Sequence, residues 1–118
     1  MLVVEDDPDF RDVLEIFLRW DGFVVCPAAD GFEAFRCLEA HRPCIILLDV
    51  SMPRMDGITF GRKLRLHPDP QLAHTPIVLL TALIDPTDAV RATEAVEVMS
   101  KPLSLEQVVN VIERHCVS

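Results

Sequence analysis

Short apolar runs alternate with amphipathic segments along the chain, and this alternation predicts the fold. The clearest run, residues 44–48, has five apolar residues followed directly by Asp49. Such a run is typical of a strand buried on both faces of a parallel sheet. A buried helix could contain the same run, but Pro43 before it and Pro53 and Gly57 after it favour a strand. Strands are also predicted over residues 2–4, 23–26, 76–80 and 96–99.

The segments between these runs have the spacing of amphipathic helices. The first helix is predicted to begin at Pro8, after the N-cap Asp7, and to bury residues 10, 13, 14, 17 and 18. Further helices are predicted over residues 30–40, 57–66, 85–95 and 105–112, although the fourth has a weak apolar face. Five strand–helix units with crossover-length connections predict an α/β fold with a doubly wound parallel sheet.

Polar residues of reactive types follow four of the predicted strands. Because parallel strands end along one edge of a sheet, these residues should converge there. The carboxylates among them would repel one another unless they share a proton or hold a cation, and oxygen ligands favour Mg²⁺ or Mn²⁺. A hydroxyl and an ammonium beside such an ion suit phosphoryl transfer, in which a carboxylate can be the nucleophile. The residues are Glu5, Asp6, Asp49, Thr81 and Lys101.

Four motifs that include these residues resemble receiver domains of two-component response regulators. They are VVEDDP at residues 3–8, LLDVSMPRMDG at 47–57, LTA at 80–82 and SKP at 100–102. The resemblance covers essentially the whole chain. It implies one receiver domain over residues 1–118, with a flavodoxin-like (βα)5 fold and the strand order 2-1-3-4-5.

The resemblance also implies a phosphoacceptor and a metal site. Asp49 would accept a phosphoryl group from a histidine kinase or a phosphotransfer protein. Asp6, Asp49 and the backbone carbonyl of Ser51 would bind Mg²⁺ or Mn²⁺, with Glu5 acting through water.

A second set of residues is implied to bind the phosphoryl group and report its presence. This set is Thr81, the backbone N–H of Ala82, and Lys101, and the Lys101–Pro102 peptide bond is implied to be cis.

The sequence departs from the family pattern at the switch position. Many receivers have Tyr or Phe where this chain has Val98, and the connection before the fifth strand is short. We therefore predict that phosphorylation occurs but is read out differently, through a mobile or reshaped fourth helix. An alternative interpretation is that Val98 is simply a core residue.

The composition of the chain limits which partners and locations are expected. A net charge of −8 argues against nucleic-acid binding by this domain. Without a visible signal peptide or membrane span, the chain is predicted to be cytoplasmic and not membrane-bound. The implied partners are the kinase or phosphotransfer protein, a downstream protein or linked output domain, and a second copy in a homodimer. The four cysteines lack metal-binding spacing, so we expect reduced, mostly buried thiols.

The sequence therefore predicts a phosphorylation-dependent signalling domain, not an enzyme with an external product. One alternative is a phosphorylation-independent interaction module, which the change at Val98 favours. A second is a Mg²⁺-dependent aspartyl phosphohydrolase. Such enzymes usually have another acid two residues after the nucleophile, where this chain has Ser51.

Overall fold

A five-stranded parallel sheet forms the centre of the protein. The computed structural model describes residues 1–50, 57–82 and 85–116. The strand order is β2-β1-β3-β4-β5, as predicted. The strands are β1 (Leu2–Val4), β2 (Cys26–Ala28), β3 (Ile46–Asp49), β4 (Ile77–Thr81) and β5 (Glu97–Ser100).

The described residues form six helices, on both faces of the sheet. Three begin at side-chain caps that the sequence predicts: Asp7 accepts the N–H of Asp9 at 3.0 Å, Asp30 that of Glu33, and Ser104 that of Gln107. Within the described residues, no helix has the length and apolar content to cross a bilayer. The helices are α1 (Pro8–Trp20), α2 (Gly31–His41), α3 (Gly57–Arg65), α4 (Pro70–Ala73), α5 (Thr87–Thr93) and α6 (Leu105–His115).

Two apolar cores lie on opposite faces of the sheet. Leu48 and Leu79 face one core with the buried residues of α2 and α3, whereas Leu47 and Val78 face the other with α1 and α6. All four residues of β3 and all five of β4 are buried. Burial on both faces explains why these strands are continuous apolar runs and do not alternate with polar residues.

The predicted position of the second strand is wrong. The prediction placed it over residues 23–26, ending before Pro27, whereas Pro27 lies inside β2. β2 is an edge strand whose only paired neighbour in the described sheet is β1, and an edge strand tolerates a residue that has no N–H. Phe23 instead belongs to the turn after α1, where its N–H donates to the Leu18 carbonyl.

Three local predictions also fail. The short helix α4 was not predicted, because His67 to Pro70 were interpreted as a stop; Asp69 caps α4 and Pro70 occupies its first turn. Val13 was expected to be buried but is 52% exposed. Cys44 lies before β3 and is exposed, so the buried part of the run starts at Ile45.

The cysteines are paired, contrary to the expected reduced thiols. Disulfides join Cys26 to Cys37 and Cys44 to Cys116. Each pair joins residues from different elements, so the pairing depends on the tertiary fold and is not evident from the spacing of cysteines along the chain. Of these residues, Cys37 is buried and Cys44 is exposed.

Arg65, at the end of α3, connects three elements. Its guanidinium donates hydrogen bonds of 2.8 Å to the carbonyls of Ala73, Thr75 and Thr93. These carbonyls belong to residues that are almost fully buried, and the Arg65 side chain is only 13% exposed. One side chain therefore joins the ends of α3, α4 and α5 at the face where the predicted switch region lies.

Replacing Arg65 with alanine is expected to lower the free energy of unfolding by roughly 2–4 kcal/mol, because three buried carbonyls lose a charged donor. Urea unfolding of the full chain measures this. Arg62→Ala is the matched control, since Arg62 is an exposed arginine on the same helix; an equal loss in both variants would contradict the role of Arg65.

Candidate functional site

Three acidic side chains meet at the carboxyl-terminal edge of the sheet. Glu5 and Asp6 follow β1, and Asp49 is the last residue of the adjacent strand β3. One carboxylate oxygen from each lies within 4.8 Å of the other two. Glu5 and Asp49 are 1% and 4% exposed, and Asp6 is the most accessible of the three. Pairing of β1 with β3 thus brings together residues more than forty positions apart.

Lys101 supplies the positive charge opposite this cluster. It follows β5, and its backbone N–H donates to the Thr81 carbonyl at 2.8 Å, which fixes it beside the end of β4. Its Nζ lies 3.1 Å from Asp49 Oδ2 and 3.6 Å from Glu5 Oε2. The ammonium also lies 5.5 Å from the centre of the Phe10 ring. The Lys101–Pro102 peptide bond is cis, the isomer that the resemblance implies.

Burial and charge crowding change the protonation of this cluster. Burial, followed by the hydrogen bond and the negative charge of Asp49, raises the pKa of Glu5 from 4.5 to about 7. Burial by itself lowers the pKa of Lys101, but Asp49 and Glu5 outweigh it, so the pKa of Lys101 is raised. Lys101 therefore stays charged at neutral pH, whereas Glu5 is near its midpoint.

The donor set fits a hard divalent cation. Among the described residues, Glu5 Oε2 is buried and faces no hydrogen-bond donor within bonding distance. Buried carboxylate oxygens are costly unless a proton or a cation compensates them. A cation between Glu5, Asp6 and Asp49 would satisfy all three, and an all-oxygen set suits Mg²⁺ or Mn²⁺.

The remaining predicted residues lie around this cluster. Thr81 is 1% exposed at the end of β4, one position beyond the residue that pairs with Asp49. Ala82 follows it and is exposed. Ser51, whose carbonyl was predicted to bind the metal, lies outside the described residues, as do residues 52–56 of the same motif.

Gly57 lies against the backbone of Asp49 and Val50 and leaves no room for a side chain. Its N–H donates to the Val50 carbonyl at 3.0 Å. A Cβ on Gly57 would lie 2.5 Å from the carbonyl oxygen of Asp49 and 2.6 Å from the Cα of Val50. The glycine of the motif therefore allows the start of α3 to approach the backbone that carries the phosphoacceptor candidate.

Val98 is not a core residue. It lies on the edge strand β5, pairs with Leu79 and is 37% exposed. The alternative interpretation of Val98 as a core residue is therefore wrong. The fourth predicted helix corresponds to α5, which has seven residues and is followed by the C-cap residue Glu94 in the left-handed conformation.

Sequence reasoning missed two contacts near the site. Arg11 donates from Nη1 to the carbonyl of Glu5 at 2.8 Å, and Phe10 packs beneath Lys101. Both residues lie in the first turn of α1. The signal available was the Asp7–Pro8 helix start, which places the first turn of α1 directly after the acidic pair.

Comparison with known proteins shows the family to which this chain belongs. The model for the response regulator receiver domain matches residues 1–113. The DNA-binding response regulator MtrA of Mycolicibacterium smegmatis is 37% identical over 111 residues, which cover 92% of this chain and 46% of that protein. The transcriptional regulatory protein CseB of Streptomyces avermitilis is 36% identical, covering 80% of this chain and 38% of that protein.

Comparison with solved structures also finds proteins that are similar to this chain over nearly its whole length. The chemotaxis protein CheY4 of Vibrio cholerae matches with a TM-score of 0.88 and 31% identity, over 98% of this chain and 96% of that one. The receiver domain of sensor histidine kinase PA1611 from Pseudomonas aeruginosa matches with a TM-score of 0.85 and 30% identity, over 97% of this chain and 93% of that one. That structure has a magnesium ion coordinated in its active-site cleft.

The chain therefore belongs to the response regulator receiver domain family. Receiver domains are signalling domains of two-component systems. The chain spans less than half the length of MtrA and CseB.

The raised pKa of Glu5 predicts how stability depends on pH in metal-free protein. The folded state retains the Glu5 proton up to about pH 7, whereas the unfolded chain releases it near 4.5. The resulting stabilisation is complete below pH 4.5 and is lost as the pH rises to about 7, with a total on the order of 3 kcal/mol. Urea unfolding in EDTA between pH 4.5 and 8 measures this loss.

Glu5→Gln is the matched variant, because it removes the titrating group while keeping its shape. Its unfolding free energy should fall less over the same pH range. Identical pH profiles for the two proteins would show that Glu5 does not titrate in this window.

Proposed function

We propose that residues 1–118 form one receiver domain that accepts a phosphoryl group on Asp49 from a histidine kinase or a phosphotransfer protein. The observation that carries this proposal is the convergence of Glu5, Asp6 and Asp49 within 4.8 Å, with Lys101 Nζ 3.1 Å from Asp49. Asp49 is the last residue of the central strand β3, and its carboxylate lies closer to the ammonium than that of Glu5, at 3.1 Å compared with 3.6 Å.

Asp6 and Asp49 would hold Mg²⁺ directly, together with the backbone carbonyl of Ser51, and Glu5 would act through water. The ion would supply positive charge to the oxygens of the transferred group. The buried Oε2 of Glu5, which has no hydrogen-bond partner within 3.5 Å among the described residues and has Lys101 Nζ at 3.6 Å, supports this assignment, and so does the magnesium in the PA1611 receiver domain.

Asp49 would act as the nucleophile. One carboxylate oxygen attacks the phosphorus of a phosphohistidine, an O–P bond forms, the P–N bond breaks, and the imidazole takes up a proton. Lys101, already bonded to Asp49 Oδ2, needs only a small side-chain shift to bind an oxygen of the phosphoryl group. Positioning and charge neutralisation supply most of what this reaction requires.

Thr81 and Ala82 would bind the phosphoryl group on its other side. Thr81 ends β4 next to Asp49, and Ala82 is exposed immediately after it. If the Thr81 hydroxyl is drawn towards the phosphoryl group, the end of β4 would move with it. Lys101 would be affected as well, because its backbone N–H donates to the Thr81 carbonyl. A water molecule that attacks the phosphorus of the acyl phosphate would release phosphate and restore the Asp49 carboxylate. The domain would therefore promote its own dephosphorylation. It would act on no external substrate.

The domain would act in the cytoplasm, on a downstream protein or on an output domain in the same polypeptide. The printed name of MtrA describes a DNA-binding regulator, and this chain matches less than half of it. The net charge of −8 supports a division in which any DNA contact is made outside this domain. A homodimer is a further partner we propose for this domain.

A phosphorylation-independent interaction module is the second candidate. Val98 is the observation that favours it, because an exposed valine replaces the aromatic side chain common at this position. The complete set of site residues favours the first function. The identity of Ser51 continues to disfavour a phosphohydrolase.

Intact-mass spectrometry after incubation with Mg²⁺ and acetyl phosphate tests the proposed function. The wild-type protein should gain one phosphoryl group, and Asp49→Asn should gain none, because an amide is not a nucleophile under these conditions. EDTA should abolish the gain.

Asp12→Asn is the matched control, since Asp12 is an exposed aspartate on α1. It should be labelled like the wild type. Labelling of Asp49→Asn would overturn the assignment. If folded wild-type protein stays unlabelled with acetyl phosphate and with candidate kinases, the interaction module becomes the better proposal.

Because α5 is short, we expect phosphorylation to be read out through a change in the mobility of this helix. Its seven residues, with only Ala89 and Thr93 buried, give it less anchoring than α6, whose Val108, Val111 and Ile112 are buried. Amide hydrogen exchange should therefore be faster in α5 than in α6 before phosphorylation, and should change in α5 afterwards. Equal protection of the two helices would contradict this prediction.

A further inference from the structure

A pair of cysteines joins two elements at the sheet edge opposite Asp49. Cys44 lies just before β3, and Cys116 directly follows α6. They are 72 residues apart in sequence, yet their Cα atoms are 5.5 Å apart, near the commonest value for a disulfide. The bond therefore ties the end of the last helix to the start of the strand that carries the phosphoacceptor candidate.

This pair is accessible to solution. Cys44 is exposed and Cys116 is half-buried, whereas Cys37 of the other disulfide is 5% exposed. Cys44 also lines a surface cavity of about 550 Å³ into which His41 and Arg42 project. Basic neighbours and solvent access are the conditions under which a cysteine exchanges disulfides readily.

The side-chain contacts at the end of α6, after Ile112, are mostly exposed ion pairs. Arg114 and His115 pair with Glu97 at 2.6 Å and 3.0 Å, and these side chains are partly or largely exposed. Exposed ion pairs stabilise little. Val108, Val111 and Ile112 are buried, and Ile112 begins the last turn. Beyond Ile112, the end of the helix is therefore attached by these ion pairs and by the disulfide of Cys116.

We propose that Cys44 and Cys116 are a reversible, redox-sensitive clamp on α6. The structure has the closed, disulfide form of the clamp. In the reducing cytoplasm proposed above, the dithiol is the resting form, and oxidation closes the clamp. A low-molecular-weight disulfide is the oxidant. One cysteine thiolate attacks it, forms a mixed disulfide and releases one thiol; the second cysteine then displaces the second thiol. The two protein sulfurs lose two electrons, and the small disulfide becomes two thiols.

Closing the clamp restrains the end of α6 in the folded protein. It also raises the free energy of unfolding, because the disulfide lowers the entropy of the unfolded chain. A bond that spans 72 residues removes much of the freedom of the unfolded chain. The clamp thus connects the redox state of the solution to the stability of the helix that follows Lys101 and Pro102.

The test uses the full chain, oxidised with glutathione disulfide or reduced with dithiothreitol, and then alkylated. In the oxidised protein, peptide mapping should recover Cys44 linked to Cys116. The last-turn amides of α6 should exchange at least about tenfold slower than in the reduced protein, and Tm should rise by about 10 °C. Dithiothreitol should reverse both changes.

Two variants separate the clamp from the other disulfide. Cys44→Ser should lose the redox dependence of α6 exchange, and the matched control Cys26→Ser should retain it. The proposal is overturned if the linked peptide does not form, or if the linked and reduced proteins share the same α6 exchange and Tm. Neither variant contacts Asp49, so the acetyl phosphate experiment remains an independent test of the proposed function.

Discussion

The repulsion between buried carboxylates at one edge of the sheet is the constraint on which the site depends. Glu5 and Asp49 are almost fully removed from water, and burying carboxylates is costly unless other groups compensate for the lost water. Lys101 compensates part of it from 3.1 Å, and Glu5 responds with a pKa near 7. The arrangement therefore favours additional positive charge, as the proposed binding of a metal ion and an anionic phosphoryl group at this place requires.

The parallel sheet holds these charges together against their repulsion. β1 and β3 are central, and their residues are buried by helices on both faces. Gly57 brings the start of α3 against the Asp49 backbone, and the Lys101 N–H is bonded to the end of β4. The burial of apolar surface stabilises the fold by about 25 cal/mol per Å², and this stabilisation offsets the unfavourable free energy of the buried charges.

The helices α5 and α6 are attached to the rest of the protein in different ways. α5 is short, and its end is attached to α3 and α4 through Arg65. α6 is long and better buried, and its end is attached through Cys116. The helices before and after β5 are thus held by different chemistry, α5 by hydrogen bonds from Arg65 to carbonyls and α6 by the disulfide of Cys116.

The sequence by itself determined the elements whose signals are local. The apolar runs of β3 and β4, the caps Asp7, Asp30 and Ser104, and the acids at strand ends predict the fold and most of the described site, because each signal lies within a few residues of its effect. Tertiary structure alone decided the rest. Pro27 entered β2 because that strand lies at an edge, Val98 was left exposed for the same reason, and the cysteines paired because the sheet brings distant segments together. Such outcomes depend on neighbours far away in the chain, and no local pattern encodes them.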